Sequence, residues 1–131
     1  MSFNMYTEII LDLYKNPRNK GTLDSATHTF HKNNPLCGDE LTLQLQVDSE
    51  GKIVDVTHSG HGCAISQASA SLFTDYIKGK TMEDLKKIKT EDVIQLLEIP
   101  ISPGREKCAL LVFEAMKGAL ESRIRRRIPS S

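Results

Sequence analysis

The chain has 131 residues, 39% of them apolar and 26% charged, a size that supports one globular domain spanning 1–131 and leaves no room for two. Seventeen basic residues balance seventeen acidic ones, which gives no general attraction to nucleic acid or to an anionic membrane surface. No run approaches the ~18 to 20 apolar residues of a membrane span, and the first residues lack a charged-then-apolar leader, so a soluble, cytoplasmic protein is expected.

From Phe3 to Tyr14 the apolar residues fall in two helical rows, Met5, Ile9, Leu13 and Tyr6, Ile10, Tyr14, which predicts an amphipathic helix. Asn16-Pro17-Arg18-Asn19-Lys20-Gly21 ends it, because proline disfavours helix in the residue before it and glycine permits a turn. Ala26 to His31 is a candidate strand. Leu41, Leu43, Leu45 and Val47 then alternate with Thr42, Gln44, Gln46 and Asp48, the period-two pattern of a strand with one buried and one wet face. Ser49-Glu50-Gly51-Lys52 gives a short loop before the β-branched run Ile53-Val54-Asp55-Val56-Thr57, so the two segments read as an antiparallel hairpin.

Beyond the hairpin the pattern turns helical. Ala64 to Lys78 lies between Gly62 and Gly79, with Ile65, Leu72 and Tyr76 on one face and many small residues around them. Thr81 with Asp84, and Thr90 with Glu91 and Asp92, read as N-caps of two short helices, the second closed by Pro100. A last helix is expected from Ser102-Pro103-Gly104 through Cys108, Leu111, Val112, Ala115 and Ala119 to the basic tail Arg123 to Arg127, a solvated helix end. Strands grouped before helices predict an α+β domain: a three-stranded antiparallel sheet with about five helices, mostly on one face.

Three cysteines cannot all pair within the chain, and their wide spacing matches no small secreted disulfide framework, so reduced thiols are expected. Each sits where a loop meets a regular element. Cys37 follows Asn33-Asn34-Pro35 and precedes Gly38-Asp39 on a turn entering the first hairpin strand. Cys63 follows Gly60-His61-Gly62 and starts a helix, where unpaired N–H groups and the helix dipole favour negative charge. Cys108 opens the last helix, with the cations Arg105 and Lys107 beside it.

Three thiolates and the Asp39 carboxylate make a four-ligand set suited to tetrahedral zinc or to the irons of a small cluster. The carboxylate is a harder ligand than the thiolates and leaves such a site easier to open. Residue types alone support equally the reading that the cysteines are small buried hydrophobes and Asp39 a turn residue. His58 and His61 are expected to be solvated histidines at a strand end and in a loop, and Gly60-His61-Gly62 lacks the glycine pattern and lysine of a phosphate loop.

Four blocks carry more than spacing does: Tyr14-Lys15-Asn16-Pro17-Arg18-Asn19-Lys20-Gly21, Asn34-Pro35-Leu36-Cys37-Gly38-Asp39, Gly60-His61-Gly62-Cys63-Ala64-Ile65-Ser66 with Ala68-Ser69-Ala70-Ser71, and Lys107-Cys108. In this order they resemble the motifs of the IscU/NifU/SufU family of iron-sulfur scaffold proteins over nearly the whole chain. The resemblance implies a SufE/NifU-like fold and an assembly site made of Cys37, Asp39, Cys63 and Cys108. There, sulfur delivered as persulfide by a cysteine desulfurase would meet iron, and a transient 2Fe-2S cluster would pass to acceptor apoproteins.

Two departures bear on mechanism. The IscU branch has histidine immediately before the third cysteine, whereas this chain has Lys107 there and Arg105 nearby, as the SufU branch does; yet the interval from Cys63 to Cys108 is close to the shorter IscU spacing. Ile101-Ser102-Pro103-Gly104-Arg105 also replaces the Leu-Pro-Pro-Val-Lys motif that dedicated Hsp70 chaperones recognise, which argues against chaperone-assisted transfer. The expected function is therefore a scaffold that binds and releases a cluster without a turnover reaction of its own. The alternative is a SufU-type zinc-dependent sulfurtransferase in which Cys37 accepts persulfide, with Arg105 and Lys107 as auxiliary groups.

Overall fold

The computed structural model describes residues 2–34, 38–97, 101 and 103–121. The elements in chain order are helix α1 (Ser2–Lys15), strands β1 (His28–Asn34), β2 (Asp39–Val47) and β3 (Ile53–His61), then helices α2 (Ala64–Ile77), α3 (Met82–Lys86), α4 (Thr90–Leu97), α5 (Glu106–Ala109) and α6 (Leu111–Glu121), with a 3-10 turn at Pro103–Arg105 before α5. The strands form one antiparallel sheet in the order β1-β2-β3, the expected α+β arrangement.

β2 is the centre of the sheet. Leu41, Leu43 and Leu45 are buried, each worth about 1.5–3 kcal/mol when fully withdrawn from water. They meet Ala70, Phe73 and Ile77 of α2 and Leu111, Val112, Ala115, Met116 and Ala119 of α6 in one core. Asp39 is in phase with these leucines and so shares their inward face; Glu40, Thr42 and Gln44 take the other. That outer face is crossed by the chain after α1, since the Gln44 side chain accepts from Leu23 N–H at 2.8 Å. At the hairpin, Asp48 Oδ1 accepts from the N–H groups of Glu50 and Lys52, both at 2.9 Å, which sets the short loop read from the sequence.

Several expectations need correction in detail. Among the described side chains of α1, Ile10 and Leu13 are buried against α2, while Ile9 and Tyr14 are exposed. α2 is apolar on two sides. One meets the sheet, and the other, through Ala64, Ile65, Ala68 and Leu72, meets α1, with Ser66, Ser69 and Ser71 small enough to be buried between them. Tyr76, expected to share one face with Ile65 and Leu72, is 38% exposed and carries Lys80 Nζ 4.5 Å from its ring centroid.

Thr81 and Asp84 form the capping box their spacing suggested, Asp84 N–H to Thr81 Oγ1 at 3.1 Å and Thr81 N–H to Asp84 Oδ2 at 3.2 Å. Thr90, by contrast, lies inside α4: Asp92 Oδ2 accepts from Lys89 N–H at 2.9 Å, so the cap is one residue earlier. The single last helix is two, α5 and α6, parted at Leu110 with φ −93° and ψ 0°. Pro100, Ser102 and the Arg123 to Arg127 tail lie outside the described residues.

His58 is not solvated. It is 1% exposed, and its Nε2 lies 2.9 Å from the Arg18 carbonyl oxygen. The segment after α1 runs along β3 as a short parallel partner, with His58 N–H to Asn19 O and Gly21 N–H to His58 O both at 2.9 Å. Asn19 takes a left-handed conformation there, and its amide reaches Thr74 Oγ1 at 3.0 Å, while Arg18 pairs with Asp75 at 3.0 Å. Burial pushes the His58 imidazole below the usual histidine range and Lys20 adds to that, against the Arg18 carbonyl, which favours the proton.

Candidate functional site

Three ends of regular structure meet at one end of the sheet. Asp39 is the first residue of β2, Cys63 the N-cap of α2, and Cys108 lies in α5. A carboxylate oxygen of Asp39 and the Sγ atoms of Cys63 and Cys108 all lie within 4.8 Å of one another. Among the described residues this is the one such set of histidine, cysteine or acidic side chains. Asp39 is 4% exposed, Cys108 5%, and Cys63 half-buried, so the cluster is sheltered with its opening at Cys63.

The site is built by backbone geometry as much as by the ligating side chains. Cys63 has φ −72° and ψ 171°, the extended conformation of an N-cap, yet its side chain makes no capping bond. Its N–H is instead satisfied from across the sheet end, donating to Asp39 Oδ1 at 3.1 Å. The other carboxylate oxygen, Oδ2, is buried without a hydrogen-bond partner. A buried carboxylate oxygen left in that condition costs free energy unless something positive reaches it, and two thiols stand within metal-ligand reach. The donor set of one carboxylate and two soft sulfurs suits zinc or iron.

Gly62 makes this approach possible. A Cβ built on it would lie 2.9 Å from Asp39 Cγ and would collide with Ser66 Oγ. Ser66 Oγ donates to Cys63 O at 3.2 Å across the first turn of α2. Neither Gly62 nor Ser66 was singled out from the sequence as part of the site. The signal available was a glycine directly before an N-cap cysteine, whose reason appears only when Asp39 arrives from another strand.

Of the residues expected at the site, the fold brings together Asp39, Cys63 and Cys108, while Cys37 lies outside the described residues, between Asn34 at the end of β1 and Gly38. Gly38 N–H donates to Asn34 O at 2.9 Å, and Asn34 pairs with Asp39 across the sheet. Arg105 and Lys107 are exposed on the approach to Cys108. Lys107 lines a cleft of about 290 Å³ with Lys32, Asn33, Asn34, Leu110 and Glu114. His61 is not part of the thiol cluster; its Nε2 lies 2.8 Å from Glu40 Oε2 on the outer face.

The profile of the NifU-like N terminal domain matches residues 5–128. The iron-sulfur cluster assembly scaffold protein IscU of Haemophilus influenzae is 39% identical over 118 residues, covering 88% of this chain and 92% of that protein. IscU of Escherichia coli, named in the same words, is 36% identical over 118 residues, with 88% and 91% covered. Among solved structures, a candidate iron-sulfur cluster assembly scaffold protein for the SUF system from Fervidobacterium islandicum superposes with a TM-score of 0.75 at 33% identity, covering 92% of this chain and 99% of that one. The N-terminal NifU-like protein of Brucella abortus shares the fold, with a TM-score of 0.72 at 22% identity.

Proposed function

Since the chain belongs to the NifU-like N terminal domain family, we propose that this iron-sulfur cluster assembly scaffold builds a transient 2Fe-2S cluster on Cys37, Asp39, Cys63 and Cys108. The observation that carries the proposal is the buried, unpartnered Oδ2 of Asp39 in a cluster with the thiols of Cys63 and Cys108. Iron and sulfide are the cargo. A cysteine desulfurase supplies sulfur as persulfide, which must be reduced to become bridging sulfide, so the reaction also draws on a reductant. The thiolates hold iron firmly, and the harder carboxylate is the ligand an incoming acceptor thiolate displaces. Cysteines not joined in a disulfide, as Cys63 and Cys108 are, suit a reducing compartment such as the cytoplasm. No described helix is long and apolar enough to cross a membrane.

The second reading is a zinc-holding sulfur acceptor of the SufU type, in which Cys37 carries the persulfide. Lys107 and Arg105, exposed beside Cys108, favour it, because cations there attract an anionic persulfide and cannot ligate.

Anaerobic incubation with a cysteine desulfurase, cysteine, ferrous iron and a thiol reductant separates the two. Iron and acid-labile sulfide bound in equal amounts, with the visible absorption of a cluster, is the scaffold outcome. Retained zinc with persulfide on the protein and no labile sulfide is the other.

A further inference from the structure

On the outer face of the sheet, at the end that leads into the thiol cluster, each strand contributes one side chain to a common contact: His31 from β1, Glu40 from β2 and His61 from β3. The register places Glu40 opposite His61 and Thr42 opposite His31, so all four share that face. His61 Nε2 is 2.8 Å from Glu40 Oε2, and His31 Nε2 is 3.4 Å from Oε1, so the carboxylate offers one oxygen to each ring. The other ring nitrogen of His31, Nδ1, lies 2.8 Å from Thr42 Oγ1. The His31 and His61 side chains are 52% and 78% exposed, that of Glu40 35%.

The geometry points to a second metal site, in which Glu40, His31 and His61 hold one divalent first-row transition ion of the class of ferrous iron, cobalt(II) or zinc. Two imidazoles and a carboxylate are the donors such borderline ions take, and unlike the thiol cluster the set contains no soft ligand. The ring of a ligating histidine is held by a bond from its other nitrogen, and Thr42 Oγ1 is in place to accept one from His31 Nδ1–H once Nε2 carries the ion. The rings flank the carboxylate and lie outside the tight spacing found in the thiol cluster. Closing them around one ion therefore needs rotation of two exposed side chains, with the strands unmoved.

The site is distinct from the thiol cluster although Asp39 and Glu40 are neighbours in sequence. Successive strand residues face opposite ways, so Asp39 reaches the cysteines and Glu40 the outer surface. It exists whether or not the thiol cluster assembles iron and sulfide.

Cobalt(II) chloride, titrated anaerobically into the chain at neutral pH, tests this. Sulfur-to-cobalt charge transfer in the near ultraviolet reports the thiol cluster, and equilibrium dialysis counts all bound ions. The parent protein is expected to bind one cobalt more than the charge-transfer band accounts for. Cys63→Ser should keep that extra ion while the band weakens. His31→Ala and His61→Ala should each weaken the extra ion by more than about tenfold, and Thr42→Val, which leaves all three ligands, by about tenfold. His31, Thr42 and His61 lie on the outer face of the sheet, and far-ultraviolet circular dichroism checks that the variants fold. No cobalt beyond the thiol cluster, or an extra ion held equally well in His31→Ala and His61→Ala, overturns the proposal and leaves Glu40 as a cross-strand ion-pair partner only.

Discussion

The N–H of Cys63 donates to Oδ1 of Asp39 at 3.1 Å, tying the first residue of β2 to the residue that caps α2. One carboxylate oxygen is thus spent on architecture, and the other, buried and unpartnered, is the one the proposed scaffold would use on its cargo. Position and chemistry are coupled through a single side chain, so changes at either residue are expected to move stability and cluster handling in different directions.

Replacing Asp39 with alanine removes both roles. Loss of the bond to Cys63 N–H is expected to cost about 1 kcal/mol in urea unfolding. Cluster assembly should persist on the cysteines, while transfer to an acceptor apoprotein slows severalfold because the ligand that departs first is gone. Circular dichroism of an acceptor ferredoxin follows the transfer, and an unchanged rate would mean that Asp39 is not the gate.

Cys63→Ser separates function from stability. Serine is a strong N-cap residue and cysteine here makes no capping bond, so the variant should be more stable than the parent by about 0.5–1 kcal/mol. It should nevertheless fail to accumulate a cluster, since a hydroxyl does not replace a thiolate at neutral pH. Cys37→Ser and Cys108→Ser should also lose the cluster, without the gain in stability. Full sulfide content in any of the three removes that cysteine from the site.

What was legible in the sequence is what local pattern encodes. The alternation of Leu41, Leu43 and Leu45 gave β2 and its inward face, and the Thr81–Asp84 spacing gave a helix cap, because each depends on residues a few positions apart. His58, Tyr76 and Gly62 were not legible. His58 is buried by a segment forty residues earlier, Tyr76 faces out because Phe73 and Ile77 take the sheet side of α2, and Gly62 is required only because Asp39 approaches from another strand. The contact among His31, Glu40 and His61 likewise needs the register of three strands, which no single segment specifies. The thiol cluster stood in between: residue types suggested a ligand set, and family motifs, not spacing, singled it out from buried cysteines.

Gly62→Ala tests the close approach. Its Cβ would press on the Asp39 carboxylate and on Ser66, both in well-packed surroundings, so a loss of about 1–3 kcal/mol is expected in thermal or urea unfolding. The displaced carboxylate should also lower metal occupancy of the thiol cluster in protein that is still folded. Parent-like stability together with parent-like metal content would show that the loop yields at no cost.

The buried histidine predicts a pH dependence of stability. His58 is held neutral below the ordinary value of 6.5, so on acidification the unfolded chain takes up its proton first. The associated stability is complete above about pH 6.5 and is lost as pH falls from there through the lowered folded value. Urea midpoints between pH 8 and 5 measure it, with His58→Gln as the control: the parent should lose more stability over that window than the variant. Equal slopes would mean that His58 titrates alike in both states.

Lys107 occupies the place where a neighbouring ligand could have stood, and its geometry suits a different task. It is exposed, precedes the buried Cys108, and lines a cleft with Lys32 and with Asn33 and Asn34, the end of the strand that leads to Cys37. A protonated lysine has three donors and no lone pair, so it cannot hold a metal; next to Cys108 in sequence, its charge would attract an anionic persulfide or sulfide. Lys107→Ala is therefore expected to keep parent-like metal in the thiol cluster while accepting sulfur from a desulfurase more slowly, with the deficit largest at low ionic strength, where such attraction is least screened. Lys107→His should hold metal as well as the parent and offers an imidazole that steadies a cluster. Anaerobic mass spectrometry of persulfide per chain, beside metal analysis of the same samples, reads both quantities. Loss of metal from Lys107→Ala with unchanged persulfide formation would reverse the assignment and make the lysine part of what holds the metal.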